Sequence, residues 1–308
     1  MKNNTSISAS SHKTVTIKKL LKRNVIGWAL LLPAILCVYF FVIRPTFSGI
    51  FWSFFNMQGY KVTTFAGLAN YKRILTDKLF LKLLMNTLKY VGWSLILGFP
   101  LPFIFAVCLS EVRRAKGFFR FFTYLPNALP GVAVYMIWFL MYYPTEAGLL
   151  NMFLSKFGMP AYSWLQDSRF TILYIIITMT WAGAGSTTIF YYAALQGIDP
   201  ALYEVATLEG AGFFKRIRYV TIPQIAGITL LLLIQQVIGV FSIMEQPLQM
   251  TNGGPNNASM SLGLLSYQYG FVSVKPQLSM AVGVVMFLIL IVMTSFYFKM
   301  NKKVESSF

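Results

Sequence analysis

Six long stretches without a charged residue constrain this chain more than any other feature of its sequence. An α-helix rises about 1.5 Å per residue, so about 20 apolar residues are needed to cross a hydrocarbon layer about 30 Å thick. Six windows meet this requirement: Asn24–Ile43, Tyr90–Ser110, Phe121–Thr145, Phe170–Ile198, Tyr219–Met244 and Pro276–Phe298. Because lipid cannot pair exposed backbone groups, each window predicts a spanning helix. The sequence therefore predicts an all-α, multi-pass membrane protein with a six-span domain over residues 24–298.

The composition excludes several other classes of protein. The chain is 56% hydrophobic and 11% charged, whereas soluble domains have about 45–50% and 25%. Its net charge of +17 comes from short basic clusters between the apolar windows, which favours a lipid surface over nucleic acid. Two cysteines, both inside apolar windows, and one histidine cannot form a disulfide framework or a His/Cys metal cluster. We therefore expect no metal site.

Two further uncharged stretches do not fit a simple span. Pro45–Tyr60 is too short to cross a bilayer and is rich in aromatic residues, so it predicts an interfacial helix. Residues 246–274 contain the segment TNGGPNNASMS, whose Gly, Pro and Asn residues favour turns over a helix in lipid. This stretch is predicted to be an ordered external loop.

The basic residues predict the orientation of the chain. With six spans and the amino terminus inside, 16 of the 26 Lys and Arg residues lie in cytoplasmic segments. Short basic flanks of this kind stay on the cytoplasmic side of a membrane. Residues 1–23 are therefore predicted to be a basic cytoplasmic tail, and residues 299–308 a second cytoplasmic tail.

The chain has no visible energy source or catalytic group. It contains no Gly-Lys dipeptide, so it lacks the loop that cradles nucleotide phosphates. The six windows contain no Asp, Glu, Lys or Arg, which argues against proton coupling but leaves a sodium site built from carbonyls and hydroxyls open. We predict that the chain is not an enzyme and that another chain hydrolyses any ATP.

The longest inner loop predicts a short helix with defined ends. Asp199 can cap a helix that begins at Pro200, where a missing N–H costs nothing. Gly210 and Gly212 are expected to end this helix, and Pro223 is expected to open the fifth span. A rigid helix on the inner surface suits a peripheral partner, although a helix that merely connects two spans would have the same pattern.

This loop resembles the EAA box of ABC importer permeases. Glu204, Ala206, Gly210 and Pro223 stand where that box has Glu, its second Ala, Gly and the closing Pro, while Val205 replaces its first Ala. The resemblance implies the type I importer fold and a coupling helix that docks on a cytoplasmic ATPase. The coupling positions that it implies, some of which shape the turn, are Glu204, Ala206, Gly210, Ala211, Gly212 and Pro223.

Other segments are similar to carbohydrate permeases of the maltose and glycerol-phosphate type. They are Gly67–Tyr90, Trp138–Asn151 and Thr251–Pro255, and the last favours the subunit that carries the sugar site. The resemblance implies a second permease subunit as heterodimer partner, two copies of an ATPase subunit, an external solute-binding protein and the plasma membrane of a prokaryote. ATP and Mg²⁺ would be used by the ATPase, and this chain would bind no cofactor.

Polar residues within the fourth and fifth windows are the candidates for a sugar path. Gln235, Gly239, Ser242 and Gln246 recur at helical spacing, and the fourth window contains a segment of small and hydroxyl residues with Ser186 and Thr187. The resemblance places sugar contacts at Ser186, Gln236, Gly239, Val240 and Ile243. Helix packing explains such residues equally well. Glu245, at the outer end of the fifth window, is expected to be solvated or interfacial.

Three alternatives stay open at this point. The chain could be an ABC permease for a solute other than sugar, against which the TNGGP loop argues. It could be an autonomous channel or secondary carrier, which would move solute without ATP. It could also be a membrane scaffold, whose removal would leave uptake of every sugar unchanged.

Overall fold

The computed structural model describes residues 25–112 and 114–305, which are mostly helical. The predicted basic tail 1–23 lies outside the described residues, as do Arg113 and the last three residues of the predicted tail 299–308. The chain divides into two units, residues 1–51 and residues 52–308.

Within the described residues, the first unit is one continuous apolar helical stretch. It comprises α1 (Val25–Val38), a π-helical segment (Tyr39–Ile43) and α2 (Arg44–Trp52), the last residue of which begins the second unit. Gly27–Trp52 is long and apolar enough to cross a membrane. Leu30 and Phe41 are among its exposed apolar side chains, an arrangement typical of a surface that lipid or another protein covers.

The second unit contains one hairpin and a series of helices. Its strands are β1 (Phe55–Gln58) and β2 (Lys61–Phe65). Its helices are α3 (Ala69–Leu75), α4 (Lys78–Trp93), α5 (Pro100–Glu111), α6 (Lys116–Ala128), α7 (Gly131–Met141), α8 (Leu149–Ser155), α9 (Thr171–Gln196), α10 (Pro200–Leu208), α11 (Phe213–Arg216), α12 (Ile222–Gln224), α13 (Ala226–Phe241), α14 (Glu245–Thr251), α15 (Leu262–Tyr267) and α16 (Pro276–Glu305). Short π-helical segments cover Ser94–Gly98, Ile217–Thr221 and Gln268–Val272, and a 3₁₀ turn covers Trp164–Gln166.

The hairpin corrects the all-α prediction and the interfacial helix predicted over Pro45–Tyr60. Helix α2 ends at Trp52, and β1 then pairs with β2 in antiparallel fashion, with Gln58 opposite Lys61. Gly59 adopts a φ of +58° between the strands, a conformation that glycine tolerates and that tight hairpin turns need. The aromatic pattern predicted the helix but carried no signal for this turn.

Four helical stretches among the described residues are long and apolar enough to span a membrane, and two bent pairs pass the same test together. The four stretches are Gly27–Trp52, Lys78–Glu111, Thr171–Gln196 and Pro276–Lys299. The bent pairs are Lys116–Ala128 with Gly131–Met141, at 95°, and Phe213–Gln224 with Ala226–Phe241, at 77°. Each of the six predicted windows overlaps one of these four stretches or two bent pairs. The number of spans is therefore six when each bent pair is counted as one span.

The first bend has a clear cause in Pro130. Leu129 precedes Pro130 and is extended, with φ −76° and ψ 141°. The Pro130 ring disfavours a helical conformation in the residue before it, and Pro130 has no N–H to continue a helix. The third predicted window is therefore two helices, α6 and α7, rather than one straight span.

The second bend corrects the predicted position of Pro223. This proline lies in α12, before the bend, and α13 begins only at Ala226. Pro223 cannot donate a backbone hydrogen bond to the preceding turn, so the helical ladder is interrupted there. Ile225 then leaves the helical conformation, with φ −100° and ψ 10°, and the chain turns into α13.

Residues 246–274, predicted as a loop, instead contain most of α14, all of α15 and a π-helical segment. Side chains of α4 pair the backbone of the segment that follows Thr251. Ser259, Ser261 and Leu262 are fully buried, so backbone groups around them need partners within the protein. The bonds run from Asn86 Nδ2 to the carbonyls of Asn257 (2.8 Å) and Met260 (3.1 Å), from the Tyr90 hydroxyl to the Ser259 carbonyl (2.8 Å), and from the Leu262 N–H to Thr87 Oγ1 (3.0 Å).

We expect Asn86→Ala to destabilise the protein, because it leaves the carbonyls of Asn257 and Met260 without their partner. The loss should be about 1–3 kcal/mol in the free energy of unfolding, measured by SDS titration of the purified protein in detergent micelles. Met85→Ala is the matched control, since Met85 is the adjacent residue and is 55% exposed. Equal stability of the two variants would contradict this role of Asn86.

Candidate functional site

A cavity of about 440 Å³ lies among helices of the second unit. Its wall comes from the π-helical segment after α4, from α5, from the bend between α6 and α7, and from α9, α13 and α14. Two clusters of buried apolar residues border it. Ile176 and Val240 belong to the first cluster, which also contains Leu83, and Leu232 belongs to the second, which also contains Tyr191. Its polar lining residues are Ser94, Asn127, Tyr135, Thr178, Thr180, Ser186, Thr187, Gln235, Gln236 and Gln246.

The structure brings six of the seven predicted path residues together at this cavity. They are Ser186, Thr187, Gln235, Gln236, Gly239 and Val240. Ile243 is the exception: it does not line the cavity, is 3% exposed and belongs to the apolar core. The cause is local, because α13 ends at Phe241 and Ser242 turns the chain away from the helical path. The predicted polar stripe breaks at the same point, so Ser242 does not line the cavity either, whereas Gln246 returns to it from α14.

The two glutamines present free polar groups to the cavity. Neither the Gln235 nor the Gln236 side chain hydrogen-bonds to another side chain or backbone group of the described residues. Ser186 does have a partner, since its hydroxyl donates to the Gly183 carbonyl at 3.0 Å, but its oxygen can still accept a bond. The site therefore offers donors and acceptors inside an otherwise apolar wall, which is the usual composition of a site for a small polar ligand.

Gly98 brings two of these polar groups close to the π-helical segment. A methyl group at Gly98 would lie 3.1 Å from Nε2 of Gln236 and 3.2 Å from Oγ1 of Thr180. A larger residue would push these two groups away. Sequence reasoning missed Gly98 and Ser94, although a glycine in an apolar helix just before Pro100 is a signal of close approach or irregular backbone.

The crossing of α6 and α9 closes one side of the cavity. A methyl group at Gly185 would clash with the Thr123 carbonyl oxygen and would lie 2.8 Å from Cα of Tyr124. Glycine is therefore required here for the two backbones to meet, as at other close helix contacts in membranes. This contact fixes α6 where Pro126 and Asn127 line the cavity.

The predicted helix of the inner loop is confirmed at both ends. The Ala201 N–H donates to Asp199 Oδ1 at 2.9 Å, and Pro200 occupies the first turn of α10. At the other end Gly210 has a φ of +75°. The N–H groups of Gly210 and Ala211 donate to the carbonyls of Thr207 (3.0 Å) and Ala206 (2.8 Å), which is the Schellman arrangement that glycine favours.

The segment around α10 has a cavity on one side and exposed apolar residues on the other. The cavity, of about 450 Å³, is lined by Glu204 and also by Tyr203, Arg216, Glu111 and Gln196. The exposed residues are Val205 (55%), Leu208 (88%) and Phe214 (83%). Exposed apolar side chains on a capped helix and on the short helix that follows it are typical of a protein contact surface. Ala211 is half-buried and Gly212 caps α11, so both belong to the turn between the two helices.

No group of three His, Cys, Asp or Glu side chains forms a possible metal site within residues 25–112 and 114–305. The arrangement of the second unit therefore consists of an uncharged polar cavity among long helices and a separate apolar contact surface on a short capped helix.

Comparison with known proteins places this arrangement among transport proteins. Residues 98–306 match the family described as binding-protein-dependent transport system inner membrane component. The multiple sugar-binding transport system permease protein MsmF of Streptococcus mutans is 30% identical over 305 residues, which cover 94% of this chain and 100% of that protein. The arabinooligosaccharides transport system permease protein AraP of Bacillus subtilis is 26% identical over 271 residues, covering 87% of this chain and 86% of that protein.

The fold is also similar to that of a solved transporter. A crystal structure of a bacterial ABC transporter involved in the import of the acidic polysaccharide alginate superposes with a TM-score of 0.82. The match covers 94% of this chain and 99% of that chain at 24% sequence identity, so it establishes a common fold.

Gly185→Ala should destabilise the protein and Gly183→Ala should not, although the two glycines lie two residues apart. At Gly185 the methyl group meets the Thr123 backbone, whereas at Gly183 it meets nothing within 4 Å. We expect Gly185→Ala to lower the free energy of unfolding by about 1–3 kcal/mol and Gly183→Ala to leave it equal or raise it by up to about 1 kcal/mol. Thermal unfolding in detergent measures both, and an unaffected Gly185→Ala variant would contradict the close crossing of α6 and α9.

Proposed function

We propose that this chain, which belongs to the family of binding-protein-dependent transport inner membrane components, is a permease subunit of an ATP-driven sugar importer. The observation that carries the proposal is the uncharged cavity with the free amides of Gln235 and Gln236 in its wall. Sugar hydroxyls both donate and accept hydrogen bonds, so amides and hydroxyls in an apolar wall suit them. The names of two relatives, one for multiple sugars and one for arabinooligosaccharides, support an oligosaccharide as the substrate.

The proposed topology has six spans and both termini in the cytoplasm. It counts each bent helix pair as one span, and the excess of basic residues in the short inner segments supports the orientation. This places Gly210 and α10 on the cytoplasmic side, and the hairpin and the segment after Thr251 outside. The membrane would be the plasma membrane of a prokaryote, since the relatives named above are bacterial.

The proposed partners divide the work of transport. A second permease subunit would complete the path, two copies of a cytoplasmic ATPase would supply energy, and an external binding protein would deliver the sugar. A structure of the alginate transporter in complex with an alginate-bound periplasmic protein supports the last of these partners. The chain itself carries no phosphate-binding Gly-Lys sequence, so ATP and Mg²⁺ are assigned to the ATPase.

In this proposal the helix α10 is the contact for the ATPase. Val205, Leu208 and Phe214 offer apolar surface to it, and Glu204 supplies a charge at the edge. Closure of the two ATPase subunits on ATP would move α10 and shift the permease from an inward-open to an outward-open state. Such a shift requires that ATP and the binding protein each favour one state over the other.

Gly239→Leu should block transport if the cavity is the path. A methyl group at Gly239 meets nothing within 4 Å, so a leucine there starts in open space at the cavity wall and occupies part of the cavity. Gly227→Leu is the matched control, since Gly227 is on the same helix, is equally open and does not line the cavity. In proteoliposomes containing the full importer, we expect uptake of a labelled oligosaccharide to fall at least tenfold for Gly239→Leu alone. Equal uptake by the two variants would remove the cavity from the path.

Glu204→Lys should weaken docking on the ATPase if α10 is the contact. We expect a loss of both uptake and substrate-stimulated ATPase activity, because the charge reversal places repulsion at the contact. Glu209→Lys makes the same charge change five residues later and should have a smaller effect. Pull-down of the ATPase by the permease provides a readout of docking itself, and intact docking, uptake and stimulation in Glu204→Lys would contradict the assignment.

A further inference from the structure

The wall of the main cavity carries no charge. Its 25 lining residues include amides, hydroxyls, small and apolar side chains, but no Lys, Arg, His, Asp or Glu. Neutral amides and hydroxyls can replace the water around a sugar hydroxyl with little loss of free energy, because they form similar hydrogen bonds. They cannot balance a carboxylate or phosphate, whose transfer from water without an opposite charge is far more costly.

One carboxylate lies at the rim of this cavity. Oε1 of Glu245 lies 3.2 Å from the point that a Cβ atom of Gly131 would occupy, and the Tyr135 hydroxyl lies 3.4 Å from the same point. Gly131 and Tyr135 line the cavity, and so does Gln246, which follows Glu245 in the chain. Glu245 itself is exposed. It therefore faces solvent beside the cavity rather than inside it.

The Glu245 carboxylate has no basic partner among the described residues. The single ion pair within 25–112 and 114–305 joins Arg169 to Asp167. The Tyr135 hydroxyl lies near the carboxylate and brings no positive charge to it. Gly131 has no side chain, which leaves space for both groups.

We propose that Glu245, which lies beside Tyr135 at Gly131, makes the site selective for uncharged oligosaccharides by repelling acidic ones. This inference rests on the proposed function and names its substrate class. The uncharged wall disfavours an anion inside the cavity, and the carboxylate disfavours its approach.

Equilibrium binding of trisaccharides to the assembled importer without its binding protein tests this inference. The neutral probes are maltotriose, raffinose and arabinotriose, and the acidic probe is trigalacturonate. We expect at least one neutral probe to bind, and trigalacturonate to bind at least about fivefold more weakly, as expected for one like charge at close range. The difference should shrink as NaCl is raised from about 0.05 M to about 0.5 M, because salt screens exposed charges.

Three variants separate the role of Glu245 from general effects. Glu245→Gln should strengthen trigalacturonate binding about fivefold and leave the neutral probe unchanged, while Tyr135→Phe should have a smaller effect in the same direction. Glu146→Gln is the matched control, because Glu146 is also exposed and does not line the cavity.

The inference would be overturned if trigalacturonate bound as tightly as the neutral probes and Glu245→Gln left its affinity unchanged. The proposed function would survive that result if Gln236→Leu weakens the neutral probe. Binding of no probe at all would count against both.

Discussion

The structure depends on one constraint: in a hydrocarbon environment every backbone polar group must find a partner within the protein. Long regular helices meet this constraint on their own, so irregular backbone is tolerated only where it lines a cavity or is buried in protein. The π-helical segment Ser94–Gly98 and the bend at Leu129 both line the main cavity. The buried segment after Thr251 is paired by the side chains of α4. Irregular backbone in this chain therefore coincides with the main cavity and with the buried segment after Thr251.

Helix α9 connects the two functional regions mechanically. Ser186 lines the main cavity and Gln196 lines the cavity beside α10, and the two lie on one continuous helix about 15 Å apart along its axis. Only three residues, Gly197 to Asp199, separate α9 from α10. The Schellman turn and the Asp199 cap make α10 a rigid body, so a displacement of α10 reaches the wall of the cavity through a short connection and a stiff helix.

The sequence predicts the helices well because the absence of charge over 20 residues reflects the same physical constraint that the fold obeys. It predicts most of the cavity because the helical spacing on α13 holds as far as Phe241, and it fails at Ile243 because the helix ends there. The hairpin and the 95° bend depend on the backbone conformations at Gly59 and before Pro130. The pattern of hydrophobic residues carries no information about these conformations. Gly98 and Tyr135 could not be placed, because their roles arise from neighbours distant in the chain.

The most direct measurement is a cryo-EM structure of the assembled importer trapped with a bound oligosaccharide. We predict density for the sugar within hydrogen-bonding distance of Gln236 or Ser186, in the cavity that Gly239 leaves open. Sugar bound only to the other permease subunit, or lipid in this cavity of the transporting state, would contradict the claim that the uncharged cavity of this chain is part of the path.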